Sequence, residues 1–383
     1  MDIMQRGRKQ KLGILSGLSV LLWSLTVFCY FFQVPYRRLA SYIVLCLAVF
    51  LICSSLRKGA YKLKIDWIKI FACYIVYLCL MVILSLIKGY AIGNIIRFLL
   101  ILTVIPLFAV IKIENFDIEE EIFLFLAVAK SIMLIYLAVQ VLRAGSHYEL
   151  RSWALTNDYG DIYLYRGVPR VQLHGNGILP IAFIINFYVN KERKAIKYII
   201  TLIVGLGILA AGNVAFFLGV GLFCGYQLIK LIRSKSLSGI KRMFFLLILI
   251  IGAGIFAFYA VDMWKVKAGY SNIVRLEQAK ALMDNYLIIG NGLGSEVVVS
   301  GIRNTRGEIY FELQTLYIFN QIGAIGLALF YFVVFSAVYK RGKENLIIFL
   351  IYLAYTFWNP YCFDSTEMMT LCLVNALPMY RRE

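Results

Sequence analysis

Arginine, histidine and carboxylate side chains are concentrated in two long polar segments, 143–173 and 262–311, of an otherwise apolar chain. Guanidinium groups bind phosphate oxygens through paired hydrogen bonds, and a neighbouring carboxylate or imidazole can accept a proton. The two segments therefore predict a site that holds an anionic substrate and removes a proton from a second substrate. We expect no metal and no other cofactor, because no ligand spacing such as H-E-x-x-H accompanies the two histidines.

The first polar segment offers phosphate ligands and candidate bases. Arg166 and Arg170 are four residues apart, so a helical segment would direct both guanidinium groups toward one phosphate. Asp161 within the segment and His174 at its boundary are candidate general bases. The nearby tyrosines and Trp153 either stack on sugar rings or lie at a membrane rim.

The second polar segment repeats this combination of cations and carboxylates. Arg275 belongs to a stretch with helical spacing, which predicts a short helix on the membrane surface. The glycine-rich stretch 290–295 lacks the spacing of a nucleotide loop and predicts a tight turn with left-handed glycines. Arg303 is a further phosphate ligand. Glu312 is the first choice for the general base, and a structural role at the start of a helix is its alternative.

The composition predicts an all-α polytopic membrane protein that positions these segments. With 61% hydrophobic residues, 16% charged residues and a mean hydropathy of +0.79, the chain cannot hide its apolar residues in one soluble core. Its apolar blocks suit helices that cross about 30 Å of hydrocarbon. We predict one membrane domain, 1–383, with 11 or 12 spans. The twelve candidate spans are Leu12–Phe32, Leu39–Leu56, Trp67–Ile87, Asn94–Ile111, Ile122–Leu142, His174–Val189, Tyr198–Ala211, Val214–Leu231, Met243–Val261, Glu312–Val338, Asn345–Trp358 and Ser365–Leu377.

The distribution of basic residues predicts the orientation. Lysine and arginine are densest on the segments that share a side with the N-terminus, which the positive-inside rule assigns to the cytoplasm. Both termini are then cytoplasmic and both polar segments face outward. The first apolar block lacks a small-x-small cleavage site, so we expect it to stay as a membrane anchor. The net charge of +18 follows from this topology, and we expect no nucleic-acid partner.

Two charged residues inside predicted spans are also candidate site residues. Lys130 falls deep in the predicted fifth span, where a charge costs several kcal/mol unless it faces a cavity or a partner. A functional role and a structural pairing with a polar helix neighbour both stay open for it. Arg97 lies about one turn below the outer surface, where it either snorkels to water or contacts a phosphate headgroup.

Several of these motifs resemble the Wzy-type lipid-linked oligosaccharide polymerases and the O-antigen ligases. At the corresponding place the ligase branch carries His-Asn, and Glu312-Leu313 here favours the polymerase branch. The spacing between Arg166 and Gly177 is similar to the spacing of an arginine and a glycine in the outer loops of the polymerases. The remaining residues that carry the resemblance are Arg275, the glycine-rich stretch Gly290–Gly294, Glu312-Leu313, and, after nine further residues, Gly323 and Gly326.

The resemblance implies glycosyl transfer at the outer leaflet of a bacterial inner membrane, within a GT-C-like fold. Undecaprenyl-pyrophosphate-linked oligosaccharides would be donor and acceptor, in contact with membrane lipids, and a chain-length regulator would be a further partner. The product would be a surface polysaccharide such as lipopolysaccharide O-antigen or capsule. The base would be Glu312, His174 or Asp161. The pyrophosphate would be held by Arg166, Arg170, Arg275, Arg303 and Arg97.

Two other functions stay open. An O-antigen ligase would transfer the same donor to the lipid A core, and Glu312 is the feature against it. A lipid-linked oligosaccharide flippase would share the many spans and Lys130, but it should show internal repeats, and no repeat is visible between the two halves.

Overall fold

A computed structural model of the 383-residue chain describes residues 14–32, 43, 46, 49–50, 65–110, 116–189, 193–233, 238–241, 243–247, 250–252, 254, 258, 271–283, 288–297, 299, 311, 313–357 and 359–377. Within these residues the chain is mostly helical. The helices are α1 Ile14–Phe32, α2 Ile65–Ile87, α3 Ile92–Phe108, α4 Phe116–Ala144, α5 Tyr148–Thr156, α6 Leu179–Val189, α7 Lys194–Ala211, α8 Val214–Ile232, α9 Ser271–Met283, α10 Gln314–Arg341, α11 Lys343–Thr356 and α12 Ser365–Ala376.

Among the described residues, five helices are long and apolar enough to cross a membrane. They lie in α2, α4, α7, α8 and α10, and α1, α3 and α6 are shorter apolar helices. This confirms the helical class and the membrane-compatible composition, and the full set of twelve spans stays a prediction. The predicted spans Leu39–Leu56 and Met243–Val261 lie mostly outside the described residues.

Two short helices, α6 and α12, form the buried centre of the bundle. Every residue of α6 from Leu179 to Asn186 is buried, and so is every residue of α12 from Thr366 to Asn375. The long helices pack around them in the pairs α1–α4, α4–α7, α8–α11 and α2–α10. At 1.5 Å per residue, α6 and α12 are each about 17 to 18 Å long, roughly half of a hydrocarbon core. Their first residues therefore lie deep in the bundle.

Basic and acidic side chains pair at one end of the bundle, which we call the opposite end. Arg193 lies 3.5 Å from Glu121, and Lys230 pairs with Glu344. The other end, which we call the loop end, carries the first polar segment.

The first polar segment contains a β-hairpin, which the sequence pattern did not predict within the otherwise helical chain. Strand β1, Gly160–Tyr165, pairs antiparallel with β2, Val168–Leu173, and Tyr163 lies opposite Arg170. Two residues join the strands, Arg166 with φ 50° and Gly167 with φ 76°. Two successive left-handed residues form a type I′ turn, whose twist matches that of the flanking strands.

Candidate functional site

The hairpin separates the two arginines that a helix would have brought together. Arg166 lies in the exposed turn, whereas Arg170 lies in β2 and is only 4% exposed. The helical arrangement that would have directed both side chains the same way does not form, because the positive φ values of the turn favour a hairpin over helix propagation. The two guanidinium groups therefore have different surroundings.

Arg170 is packed inside the protein rather than presented to solvent. Its guanidinium carbon lies 4.1 Å from the centroid of the Tyr165 ring, a close cation–π contact. On the other side, a Cβ added to Gly212 would lie 2.6 Å from Cγ of Arg170. Gly212, with φ 63°, ends α7, so the α7–α8 turn covers the arginine. Arg170 thus ties the hairpin to the helices below it.

Asp161 is held by a neighbouring arginine. Arg151 Nε donates to Asp161 Oδ1 at 2.8 Å, and Arg151 Nη2 donates to Oδ2 at 3.2 Å. This two-pronged pair links α5 to β1. Because both carboxylate oxygens accept from a cation, Asp161 is poorly suited to take a proton from a substrate.

His174, the second candidate base, has its main chain fixed on both sides. Its N–H donates to the Tyr159 carbonyl at 2.8 Å, and its own carbonyl accepts from Lys130 Nζ at 2.9 Å. The imidazole is 35% exposed, and its Nε2 lies 3.8 Å from Asp158 Oδ1. A carboxylate beside an accessible imidazole is the arrangement that supports a histidine base.

Lys130 is buried in the middle of α4. It is 2% exposed, and its Nζ lies 5.9 Å from the centroid of the Phe32 ring. Lys130 follows Glu121 of the opposite end by nine residues, which is about 14 Å along a helix. Its hydrogen-bond partner is a main-chain carbonyl, not the polar helix side chain that the structural alternative required.

The glycine-rich part of the second polar segment docks into a break in α10. Gly323 interrupts this helix with φ 65° and ψ −178°. Asn291 N–H donates to the Asn320 carbonyl at 2.8 Å, and Ile325 N–H donates to the Ile288 carbonyl at 3.2 Å. Main-chain groups freed by the break are therefore satisfied by the loop. The predicted left-handed glycines are confirmed, since Gly290, Gly292 and Gly294 all have positive φ.

Buried amides hold this docked loop in place. Asn320 Nδ2 donates to the Leu282 carbonyl of α9 at 2.8 Å, and its Oδ1 accepts from Asn291 Nδ2 at 3.2 Å. Gln321 Oε1 accepts from Gly294 N–H at 2.9 Å. One turn of α10 thereby fixes both α9 and the loop 288–297.

The remaining predicted cations are distributed around this second region. Arg97 is exposed on α3. Its charge and the charge of Glu296 in the docked loop both interact with Tyr317. Arg275 is half-buried on α9. Arg303 and Glu312 lie outside the described residues.

A short connection between α11 and α12 joins the two regions inside the bundle. The Tyr361 ring lies against Gly177, where an added Cβ would be 2.8 Å from the ring, and Tyr355 donates to the Gly177 carbonyl at 2.8 Å. On its other side, Cys362 lies beside Thr315 in the first turn of α10. The chain that leaves the hairpin and the chain that leaves the second polar segment therefore meet at this connection.

Sequence reasoning missed an acidic pair at the start of α12, half-buried Asp364 and buried Glu367. Asp364 Oδ1 accepts from Thr366 N–H at 2.7 Å, and Glu367 Oε2 accepts from Phe363 N–H at 2.7 Å. The spacing Asp364-x-x-Glu367 before an apolar run is a capping-box signal that could have revealed the pair.

The described part of the chain brings together no three His, Cys, Asp or Glu side chains that could hold a metal ion. Comparison of the chain with protein-family models, with curated proteins and with solved structures gives no match. The case for a function therefore depends on the geometry described above.

Proposed function

We propose that this protein polymerises undecaprenyl-pyrophosphate-linked oligosaccharide repeat units at the periplasmic face of a bacterial inner membrane. One observation carries the proposal. The chain that follows the first polar segment, at Gly177, and the chain that follows the second, at Thr315, both lie against the α11–α12 connection. Both polar segments thereby connect to one place in the helical bundle, as a transferase for lipid-linked substrates requires. GT-C-like architecture is part of the proposal.

The arginines divide between substrate binding and support. In this proposal, exposed Arg166 at the hairpin turn and half-buried Arg275 on α9 contact the pyrophosphate, and exposed Arg97 contacts it from the lipid side. Arg303 keeps its predicted role. Hydrogen bonds from guanidinium groups strengthen as negative charge develops on the leaving pyrophosphate, which lowers the barrier without a metal. Buried Arg170 supports the hairpin instead.

The reaction also needs a base for the acceptor hydroxyl, and the geometry supports His174. Its imidazole is accessible, its main chain is fixed at both sides, and Asp158 lies beside it. Glu312 stays the competing candidate from the sequence. In the proposed step the acceptor oxygen attacks the anomeric carbon of the donor while its proton moves to the imidazole, and the pyrophosphate departs with the bonding electron pair.

Complementation of a strain that lacks the protein tests this function. We expect wild-type protein to restore long surface polysaccharide, and His174→Gln to reduce elongation by about 100-fold or more at equal membrane abundance. Glu312→Gln tests the competing base. We expect this variant to reduce elongation less than His174→Gln does. Arg193→Gln, at the opposite end, is the matched control and should elongate normally. Normal chain length with His174→Gln would remove His174 as the base.

A further inference from the structure

Lys130 is a charged group in an unfavourable place with little to offset its burial. It is 2% exposed in the middle of a membrane-spanning helix, and no described carboxylate lies within 4.0 Å of its Nζ. Its contacts are one neutral carbonyl and one aromatic ring. An isolated buried ammonium costs several kcal/mol, and a single carbonyl acceptor does not compensate for that. An apolar side chain of the same length would be the more stable choice for packing alone.

The carbonyl that Lys130 binds belongs to the residue that the proposed function uses as base. We propose that Lys130 is a positioning residue, which fixes the main chain of His174 so that its imidazole stays at the loop end. This inference rests on the proposed function, because it assigns a role in that same reaction. Lys130 itself contacts neither substrate.

The chain around His174 shows why an external fixing group is needed. The residue after it, Gly175, has φ 81°, and an added Cβ there would lie 2.5 Å from the Tyr30 carbonyl. The chain therefore turns sharply against α1 directly after His174, and Asn176 Nδ2 donates back to the Val171 carbonyl at 2.9 Å. The hydrogen bond to Tyr159 holds His174 to the start of the hairpin, and Lys130 holds it to α4. Loss of Lys130 removes the hydrogen bond between the His174 main chain and α4.

The kinetics and the melting temperature of Lys130→Met distinguish a positioning role of Lys130 from a packing role. Methionine keeps length and apolar volume, so the melting temperature of the variant should equal or exceed that of the wild type. Misplacement of the base should lower kcat roughly 100-fold with little change in KM for the lipid-linked donor. In a His174→Gln background the same substitution should cause no further loss, because its effect passes through His174. A packing role predicts a lower melting temperature and an additive loss instead.

A second measurement does not depend on turnover. The chain has two histidines, so His147→Gln leaves His174 as the single imidazole. We expect diethyl pyrocarbonate to modify His174 several-fold faster in His147→Gln/Lys130→Met than in His147→Gln alone.

These measurements distinguish the two proposals. If the wild-type protein forms no polymer, the proposed function fails, while the modification rates still report on the Lys130–His174 contact. If the wild type polymerises but Lys130→Met keeps full kcat or an unchanged modification rate, the positioning role is overturned.

Discussion

Gly290 and Gly323 pack backbone against backbone. A Cβ on Gly290 would lie 2.5 Å from the Gly323 amide nitrogen, and a Cβ on Gly323 would lie 2.5 Å from the Gly290 amide nitrogen. Both residues also have positive φ, 94° and 65°. The docked loop and the break in α10 are thus two halves of one contact, which only glycine at both positions allows.

Alanine at either glycine should disrupt this contact. We expect Gly290→Ala and Gly323→Ala each to cost about 1–3 kcal/mol of stability, through backbone strain and overlap. The double variant should lose less than the sum, because one displaced loop accounts for both effects. Thermal unfolding in detergent measures this. Gly205→Ala, in α7 with nothing within 4 Å of the added Cβ, is the control and should unfold no earlier than the wild type.

The two hairpin arginines should respond in opposite ways. Arg170→Ala removes a cation–π contact and buried packing, so its melting temperature should fall, and Arg170→Lys should recover little of the loss. Arg166→Ala should keep the melting temperature and raise KM for the lipid-linked donor. Unfolding scans and steady-state kinetics on both variants check the assignment. Equal destabilisation by the two alanine variants would contradict the difference in burial.

Asp364 should stabilise the start of α12 as its N-cap. Its Oδ1 accepts from the N–H groups of Thr366 and Glu367, and Asp364→Ala leaves both without this acceptor. We expect Asp364→Ala to cost about 1 kcal/mol of stability, and Asp364→Asn, which keeps an acceptor oxygen, to cost less. Thermal unfolding in detergent measures both variants. Equal losses for the two would contradict the capping role.

Sidedness can be tested by cysteine labelling in a background without native cysteines. Val168, 59% exposed on the hairpin, should react as cysteine with a membrane-impermeant maleimide in intact cells. Cysteine at Ser300 in the second polar segment should react in the same way. Cysteine at Arg193, at the opposite end, should react only after permeabilisation. The reverse pattern would place the loop end in the cytoplasm and remove the proposed function.

Much of the helical framework could be predicted from the sequence, because membrane helices are set by the length of apolar runs. Predicted Val214–Leu231 and observed α8, Val214–Ile232, differ by one residue. The hairpin could not be recognised in the same way, because its turn residues, Arg166-Gly167, are not the usual Asn-Gly or Asp-Gly pair.

The site was predicted less completely because its contacts are tertiary. The sequence marked Lys130 as anomalous, but its acceptor is a main-chain carbonyl 44 residues away, which no side-chain pattern reveals. The sequence also equated Arg166 and Arg170, although a hairpin makes one exposed and the other buried. Gly290–Gly294 and Gly323 were both found as parts of a motif, but their spacing along the chain does not reveal that Gly290 packs against Gly323.

The central claim is tested most directly by the products of the purified protein in liposomes supplied with its lipid-linked repeat unit. We predict a ladder of lipid-linked chains that differ by one repeat unit, formed without added metal. Transfer of a single glycan to lipid A core would identify a ligase. Movement of intact lipid-linked units across the bilayer without new glycosidic bonds would identify a flippase, and either result would contradict the polymerase.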